Sequence, residues 1–187
     1  MTTRITGGSH RGRRLRSSGG VDLRPTSEMV RGAMFSIVGP DTVVGARVLD
    51  LYAGTGTLGI EALSRDASLA DFVEVRSSRC REIRDNLAQM GLADRGRVHR
   101  ARVDKALDSL QGGYGLVFID PPYDSDPWAA LMGRLGEGDL LVEDAIVVAE
   151  HRSNRELGDS YGRLARMKLR RHGDTGISIF VLEGTVG

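Results

Sequence analysis

The sequence predicts an α/β fold: a mostly parallel seven-stranded sheet with a C-terminal antiparallel hairpin, preceded by a small N-terminal β-hairpin extension. Three observations carry this. From about residue 46 onward, short apolar runs alternate with helical patterns, and alternation at that pace means a parallel sheet wrapped by helices. The first run, Val48-Leu49-Asp50-Leu51, leads into the glycine turn Ala53-Gly54-Thr55-Gly56. The last two runs flank Gly173-Asp174-Thr175-Gly176, a hairpin signal at a sheet edge.

The elements follow in order. Residues 3–17 alternate weakly around Gly7-Gly8 and read as a hairpin with Arg11, Arg13 and Arg14 on its second arm. Residues 18–25 are loop, rich in Ser and Gly and closed by Pro25. Thr26 is placed to cap the next helix, with Glu28 facing the positive end of its dipole. Val30, Met34 and Ile37 recur at helical spacing, so a helix is expected over 26–38, ended by Gly39-Pro40. Strands are expected at 46–52, 70–75, 97–102, 115–120 and 144–150, then at 163–172 and 177–183. Helices fall near 57–66, 78–90, 104–111 and 127–135. The boundary near 38–45 divides an extension, residues 1–40, from the α/β body, residues 41–187.

The 187 residues suffice for one α/β domain and a small appendage. No run approaches the roughly eighteen apolar residues of a membrane span, and no apolar leader opens the chain. Cys80 is the single cysteine, so no internal disulfide forms, which fits a reducing cytoplasm. Net charge is +1, but its distribution is uneven. Residues 1–31 hold seven arginines against two acids, Asp22 and Glu28, a local charge of +5. Arg163, Arg166, Lys168, Arg170 and Arg171 form a second basic cluster. Basic ends around a more acidic middle point to a polyanion, here nucleic acid.

Open parallel sheets bind ligands beyond the carboxyl ends of their strands. Gly54 and Gly56 let the backbone turn tightly and approach a ligand, and Gly54-x-Gly56-x-x-Gly59 also matches a dinucleotide fingerprint. Asp50 discriminates. A carboxylate four residues before the first glycine repels a pyrophosphate but welcomes the ammonium of S-adenosylmethionine. Glu74, closing the second strand of the body, can accept bonds from both ribose hydroxyls. Asp104 follows the third strand, within reach of an adenine amine, although Asp is also an ordinary helix cap there.

The apolar run Leu116-Val117-Phe118-Ile119 delivers Asp120-Pro121-Pro122-Tyr123. An exocyclic amine on a base is a poor nucleophile, because its lone pair is delocalised into the ring. Asp120 and the Pro121 carbonyl can hold its two N–H bonds, and two prolines fix the direction of that carbonyl. Tyr123 can stack on the base. Catalysis is then positioning plus charge stabilisation, with no metal. His10, His99, His151 and His172 lack metal-ligand spacing. Glu150-His151 reads as structural, and Trp128 as either a core residue or a cover for the target pocket.

These residues resemble the RsmD family of bacterial methyltransferases, which modify a guanine N2 amine in small-subunit ribosomal RNA. The resemblance includes Arg4-Ile5-Thr6-Gly7-Gly8, Arg11-Gly12-Arg13-Arg14-Leu15, Leu23-Arg24-Pro25-Thr26, Leu49-Asp50-Leu51-Tyr52-Ala53-Gly54-Thr55-Gly56 and the Asp120 tetrad. It implies a Rossmann-like class I fold using S-adenosylmethionine. It implies a cofactor pocket bordered by Thr26, Phe35, Asp50, the Tyr52–Gly56 segment, Glu74 and Asp104. It also implies RNA contacts from Arg11, Arg13, Arg14, Arg24 and Arg31. Where the family often carries an acid this chain has Arg76, which leaves the ribose to Glu74. The implied partner is 16S rRNA within an assembled or assembling small subunit, and the protein is expected to be a cytoplasmic monomer. Alternatives are a DNA adenine-N6 methyltransferase, a protein glutamine methyltransferase, a non-catalytic cofactor-binding RNA module and a nicotinamide dehydrogenase.

Overall fold

A computed structural model of the chain describes residues 3–16, 27–122 and 125–184. Ten strands and six α-helices are present among them. A two-stranded antiparallel ladder pairs β1 (Thr3–Arg4) with β2 (Arg14–Leu15). The body holds β3 (Arg47–Leu51), β4 (Leu69–Glu74), β5 (Gly96–Arg100), β6 (Tyr114–Ile119), β7 (Leu141–Arg152), β8 (Ser160–Tyr161), β9 (Leu164–His172) and β10 (Thr175–Leu182). Their order is β5-β4-β3-β6-β7-β10-β9-β8. The first five are mutually parallel, and β10 runs antiparallel to both β7 and β9. The sheet therefore has eight strands rather than seven. The extra one is the two-residue edge Ser160–Tyr161, too short to leave a pattern in the sequence.

The helices are α1 (Glu28–Val38), α2 (Pro40–Val43), α3 (Thr57–Ser64), α4 (Ser77–Gln89), α5 (Val103–Ala106) and α6 (Trp128–Glu137). They cover both faces. Val30, Met34 and Phe35 of α1, Leu58 and Leu63 of α3, and Ile83 of α4 share one core with Phe72, Phe118, Val148 and Ile177. Val103 and Ala106 of α5, with Trp128, Leu131 and Leu135 of α6, share the other with Leu49, Leu51, Val117, Ile119 and Phe180. Ile119 and Phe118 thus serve opposite faces, as strand alternation requires.

Three boundaries differ from expectation. Ser27, not Thr26, caps α1: its hydroxyl accepts from the Val30 N–H at 3.2 Å. Thr26 itself lies outside the described residues. Gly39-Pro40 does end α1, but Gly39 at φ 82° also lets Pro40 start α2 at once. β7 begins at Leu141, before the expected start, because exposed Val142-Glu143-Asp144 gives no apolar signal; Asp144 takes φ 59° and the register with β6 shifts nearby.

The N-terminal extension is built into the body. Ile5 and Leu15 are 1% exposed and belong to the core that contains Phe118. Ser9 N–H donates to the Ser64 carbonyl at 2.8 Å, and Ser64 Oγ donates to the Gly7 carbonyl at 2.7 Å. Gly8, at φ 75°, tolerates no side chain, since a Cβ would sit 1.8 Å from the Ser64 carbonyl oxygen. Asn86 of α4 accepts from Arg16 N–H at 2.8 Å and donates to the Arg16 carbonyl at 3.1 Å.

Beneath the hairpin lies a buried ion pair. Arg31 Nε donates to Glu61 Oε2 at 2.8 Å, and both side chains are 0% exposed. Arg65 Nη2 reaches Glu61 Oε1 at 2.8 Å, Thr6 Oγ1 also donates to that oxygen, and Arg31 Nη2 donates to the Arg4 carbonyl at 2.5 Å. This corrects the reading of Arg31 as an RNA contact: a wholly buried guanidinium clasping Glu61 cannot meet a phosphate. Arg11, Arg13 and Arg14 are exposed, as expected. However, Arg11 and Arg13 sit in the turn rather than on a strand arm, because β2 spans only Arg14–Leu15. Arg24 lies outside the described residues.

Removing one member of a buried pair strands the other charge. Glu61→Ala is expected to lower unfolding free energy by roughly 3–5 kcal/mol in a urea titration. Disrupting the exposed Arg134–Asp108 pair by Arg134→Ala is expected to cost no more than about 1 kcal/mol. Equal midpoints for the two variants would contradict the assignment of Arg31 and Glu61 as the anchor.

Candidate cofactor and base site

The chain leaves β3 to build β4 and β5 on one side, then crosses back to build β6 and β7 on the other. The loops after β3 and β6 therefore part in opposite directions and open a crevice at the switch point. β3 and β6 are in register, with Leu51 opposite Ile119, so Tyr52 and Asp120 leave the sheet side by side. Asp120 N–H points to the Leu51 carbonyl at 3.5 Å.

The β3 loop is shaped by positive φ angles at Tyr52 (61°), Gly54 (55°) and Gly56 (75°). Glu74 holds it from the neighbouring strand: its Oε2 accepts the Gly54 N–H at 2.9 Å and its Oε1 accepts the Arg76 N–H at 2.7 Å. Ala53 N–H donates to the Val73 carbonyl at 3.0 Å, and Gly56 N–H to the Ala53 carbonyl at 2.7 Å. Thr55 and Thr57 hydroxyls share a 2.8 Å bond at the start of α3. Gly59 has a packing reason: a Cβ there would lie 2.3 Å from the Phe72 ring.

Asp50 is 2% exposed, and its Oδ2 accepts the Gly59 N–H at 2.9 Å. The carboxylate thus takes a first-turn N–H of α3 that a pyrophosphate would otherwise use, which adds to its charge argument against a dinucleotide. Burial, opposed by the Gly59 bond and reinforced by the charge of Glu74, pushes the Asp50 carboxyl up to about 7. A cationic ligand at this crevice would be met by a carboxyl able to ionise on its arrival. This donor set fits a group that carries an ammonium and a sulfonium.

The other expected cofactor residues are placed as follows. Tyr52 and Ala53 are half-buried at the crevice. Burial first, then the charge of Asp104, raises the Tyr52 phenol. Asp104 is exposed in the first turn of α5, and its Arg102 partner at 3.1 Å holds its carboxyl below the usual range. Arg102, not Asp104, is the cap. Phe35 is 3% exposed, with its ring 5.4 Å from that of Phe118 and the Arg65 guanidinium 4.6 Å above it. It therefore lies beneath the crevice floor rather than along an open wall.

Beyond Asp120, an open cleft of about 170 Å³ is lined by Pro121, Pro122, Trp128, Glu150, His151 and Arg155, among others. Tyr123 lies outside the described residues. Arg155 Nη2 bridges both Asp126 oxygens, at 2.6 and 2.7 Å. His151 is 4% exposed, and its pKa is lowered by burial. Its Nδ1–H donates to the Arg152 carbonyl at 2.8 Å, which makes Nε2 the acceptor for the Ser178 hydroxyl at 2.8 Å. Its ring stands edge-on to Trp128 and over Gly176, where a Cβ would come within 2.5 Å. Glu150 and Arg155 carry no motif in the sequence. The available signal was their position, at and just past the carboxyl end of a parallel strand. Among the described residues, no cluster of His, Cys, Asp or Glu could hold a metal ion, and no helix is long and apolar enough to cross a membrane.

A doubly wound sheet of this order, with a glycine turn and a carboxylate at its switch point, defines a Rossmann-like S-adenosylmethionine-dependent methyltransferase. A family described as Conserved hypothetical protein 95 matches residues 3–181. The chain belongs to this family, the RsmD family of rRNA methyltransferases. It is 35% identical to YlbH of Bacillus subtilis (strain 168) over 97% of this chain and 100% of that one. It is 33% identical to Ribosomal RNA small subunit methyltransferase D of Escherichia coli (strain K12) over 79% of this chain and 73% of that one. The solved structure of yhhF from Escherichia coli superposes with a TM-score of 0.88, covering 98% of this chain and 99% of that one at 27% identity.

The raised Asp50 carboxyl has a measurable consequence. A group that binds its proton more tightly when folded lends stability at low pH and loses it as pH rises through its folded pKa. Without cofactor, Asp50→Asn keeps an oxygen for the Gly59 N–H and carries no charge. It is expected to melt above wild type at pH 8, with the gap shrinking as pH falls toward 5. A gap that ignores pH would refute the buried, proton-binding role of Asp50.

Proposed function

We propose that the protein methylates the exocyclic N2 amine of a guanine in 16S rRNA, within an assembled or assembling small ribosomal subunit in the cytoplasm, as a monomer. The observation that carries this reading is the placement of Asp120-Pro121-Pro122 beside the glycine loop, at the level where Leu51 and Ile119 pair. The small-subunit context is supported by the relative named for it.

S-adenosylmethionine supplies an electrophilic methyl group on its sulfonium. Asp50 would meet the ammonium end, and Glu74, whose oxygens each hold one backbone N–H, would keep further lone pairs for ribose hydroxyls. Asp104 and Tyr52 would hold the adenine end, with Thr26 at the border and Phe35 supporting the floor from beneath. Asp120 and the Pro121 carbonyl accept the two amine N–H bonds, Pro122 fixes the turn and Tyr123 stacks on the base. The lone pair is thereby localised toward the methyl carbon, and Asp120 stabilises positive charge growing on nitrogen. Residues 1–40 form an RNA-holding extension on the catalytic body of 41–187, with Arg11, Arg13, Arg14 and Arg24 meeting phosphates.

Asp120 acts as an acceptor that positions, so its oxygen matters more than its basicity. Asp120→Ala is expected to lower kcat for labelled-methyl transfer to small-subunit RNA by about 10²–10³-fold, with cofactor affinity by calorimetry little changed. Asp120→Asn, which retains an acceptor oxygen, is expected to stay within about tenfold of wild type. Unchanged turnover in the alanine variant would sink the proposed role, and mass mapping of the product fixes the methylated atom.

A further inference from the structure

β9 carries Arg166, Lys168, Arg170 and Arg171 and no acidic residue. These cations are not equivalent. Arg166 is spent locally: its guanidinium pairs with Asp159 and donates to the Leu157 carbonyl at 3.1 Å. Arg171 is turned to the Ser153 carbonyl. Among the described residues, Lys168 and Arg170 have no carboxylate partner, and Arg170 reaches the carbonyl of its own neighbour Leu169 at 3.2 Å. Their direction follows from register, because residues directly opposite in an antiparallel pair share a face. Lys168 lies opposite Ile179 and Arg170 opposite Ile177, and both isoleucines belong to the core that contains Phe118. Lys168 and Arg170 are therefore on the face that carries α1, α3 and α4, the face of Asp50, which pairs with Phe118. Ile177 is also opposite Glu150, so Arg170 stands level with the carboxyl ends of the parallel strands. Three strand spacings, about 14 Å, separate β9 from β6, where Asp120 leaves the sheet. β8 covers β9 only at Leu164 and Ala165, so among the described residues no strand flanks Lys168 or Arg170.

We propose that Lys168 and Arg170 form a second phosphate-binding stripe for the ribosomal RNA, on the flank of the crevice opposite the hairpin. This rests on the ribosomal RNA reading above and assigns it a further surface. The hairpin is fastened to α4 through Asn86, and α4 packs Leu87 onto Gly96 of β5. It thus occupies the β5 flank of the crevice between β3 and β6, and β9 occupies the other. Lys168 and Arg170 are two residues apart on one strand, so they project together, about 6.6 Å apart along it. That spacing is comparable to the step between successive phosphates of an extended strand. A charge that only guards a sheet edge against pairing serves on either face. Here both cations without a carboxylate fall on the crevice face. Phosphate contacts position without reading sequence. Two grips on one face, with the crevice between them, fix which nucleotide stands over it, and one grip alone leaves the RNA free to pivot.

The test measures binding to reconstituted small subunits by fluorescence anisotropy, from about 50 to about 200 mM salt. Lys168→Gln/Arg170→Gln is expected to weaken binding by about tenfold at the lower salt and to lower the slope of log affinity against log salt by about two. Arg97→Gln/Arg134→Gln removes the same charge from β5 and α6, away from this stripe, and is expected to keep the wild-type slope. Arg170→Gln alone, which leaves Lys168 on the open edge, is expected to lower the slope by about one. Cys80 is buried, so Lys168→Cys carries one reactive thiol. A photo-crosslinker on that thiol is expected to capture RNA, and capture of a ribosomal protein instead overturns the assignment. Labelled-methyl transfer is followed in parallel. Equal slopes in all variants, with normal methyl transfer by wild type, overturn this inference alone. Wild type that binds subunits but transfers no methyl overturns the methylation reading, and the slopes still decide the stripe. Wild type that does not bind small subunits overturns both.

Discussion

The register between β3 and β6 governs everything that happens at the site. Because Leu51 and Ile119 pair, the glycine loop and the Asp120 turn begin at the same height on adjacent strands. A slip by one residue would turn Asp120 to the opposite face and move it away from Asp50. The register is held by burial on both sides: Val48 and Phe118 face one core, Leu49 and Val117 the other. At the opposite end of the strands, Asp71 takes bonds from Arg47 at 2.9 Å, Tyr114 at 3.0 Å and His99 at 2.7 Å, tying β3, β4, β5 and β6 together. Burial would raise the Asp71 carboxyl, but these three donors outweigh it and hold it below the usual range.

The second constraint is the seating of the N-terminal extension. Its arginines divide into two kinds that look alike in the sequence. Arg31 is spent internally on Glu61, alongside Thr6 and Arg65, and this fixes α1 and the hairpin against α3. Arg11, Arg13 and Arg14 remain outside. With the hairpin anchored, the exposed arginines hold a defined position relative to the face onto which Asp50, Asp120 and Glu150 project. A basic tail on a flexible linker would give attraction without register.

Most of the fold was legible because its signals are local. Apolar runs gave the strands within a few residues, and the glycine turn with Asp50 gave the crevice. What stayed hidden depended on tertiary context. Nothing in the spacing of Arg31 distinguishes a buried guanidinium from a solvent-facing one; only the opposing Glu61, thirty residues away, decides it. Gly59 looked like part of a phosphate fingerprint, and its need is the Phe72 ring packed against α3. Glu150 carried no motif at all. Its place next to Asp120 arises from β7 lying beside β6 in register, a pairing that the sequence order alone does not state.

A net charge of +1 conceals two opposed fields, and their separation matches the two ligands. The floor of the crevice is acidic: Asp50, Glu74, Asp120 and Glu150 all lie at or near strand ends. The surroundings are basic, with Arg11, Arg13 and Arg14 on the hairpin and Arg152, Arg155 and Arg171 exposed around the ends of β7 and β9. Arg171 Nε donates to the Ser153 carbonyl at 3.1 Å, which draws the edge hairpin toward the cleft wall. A polyanion is attracted to the rim and repelled by the floor. A cationic cofactor and the N–H edge of a base are drawn in the opposite sense. On the proposed reading, this charge map would keep a phosphate backbone outside while a single base goes down, separating the part of the RNA that is held from the part that is modified.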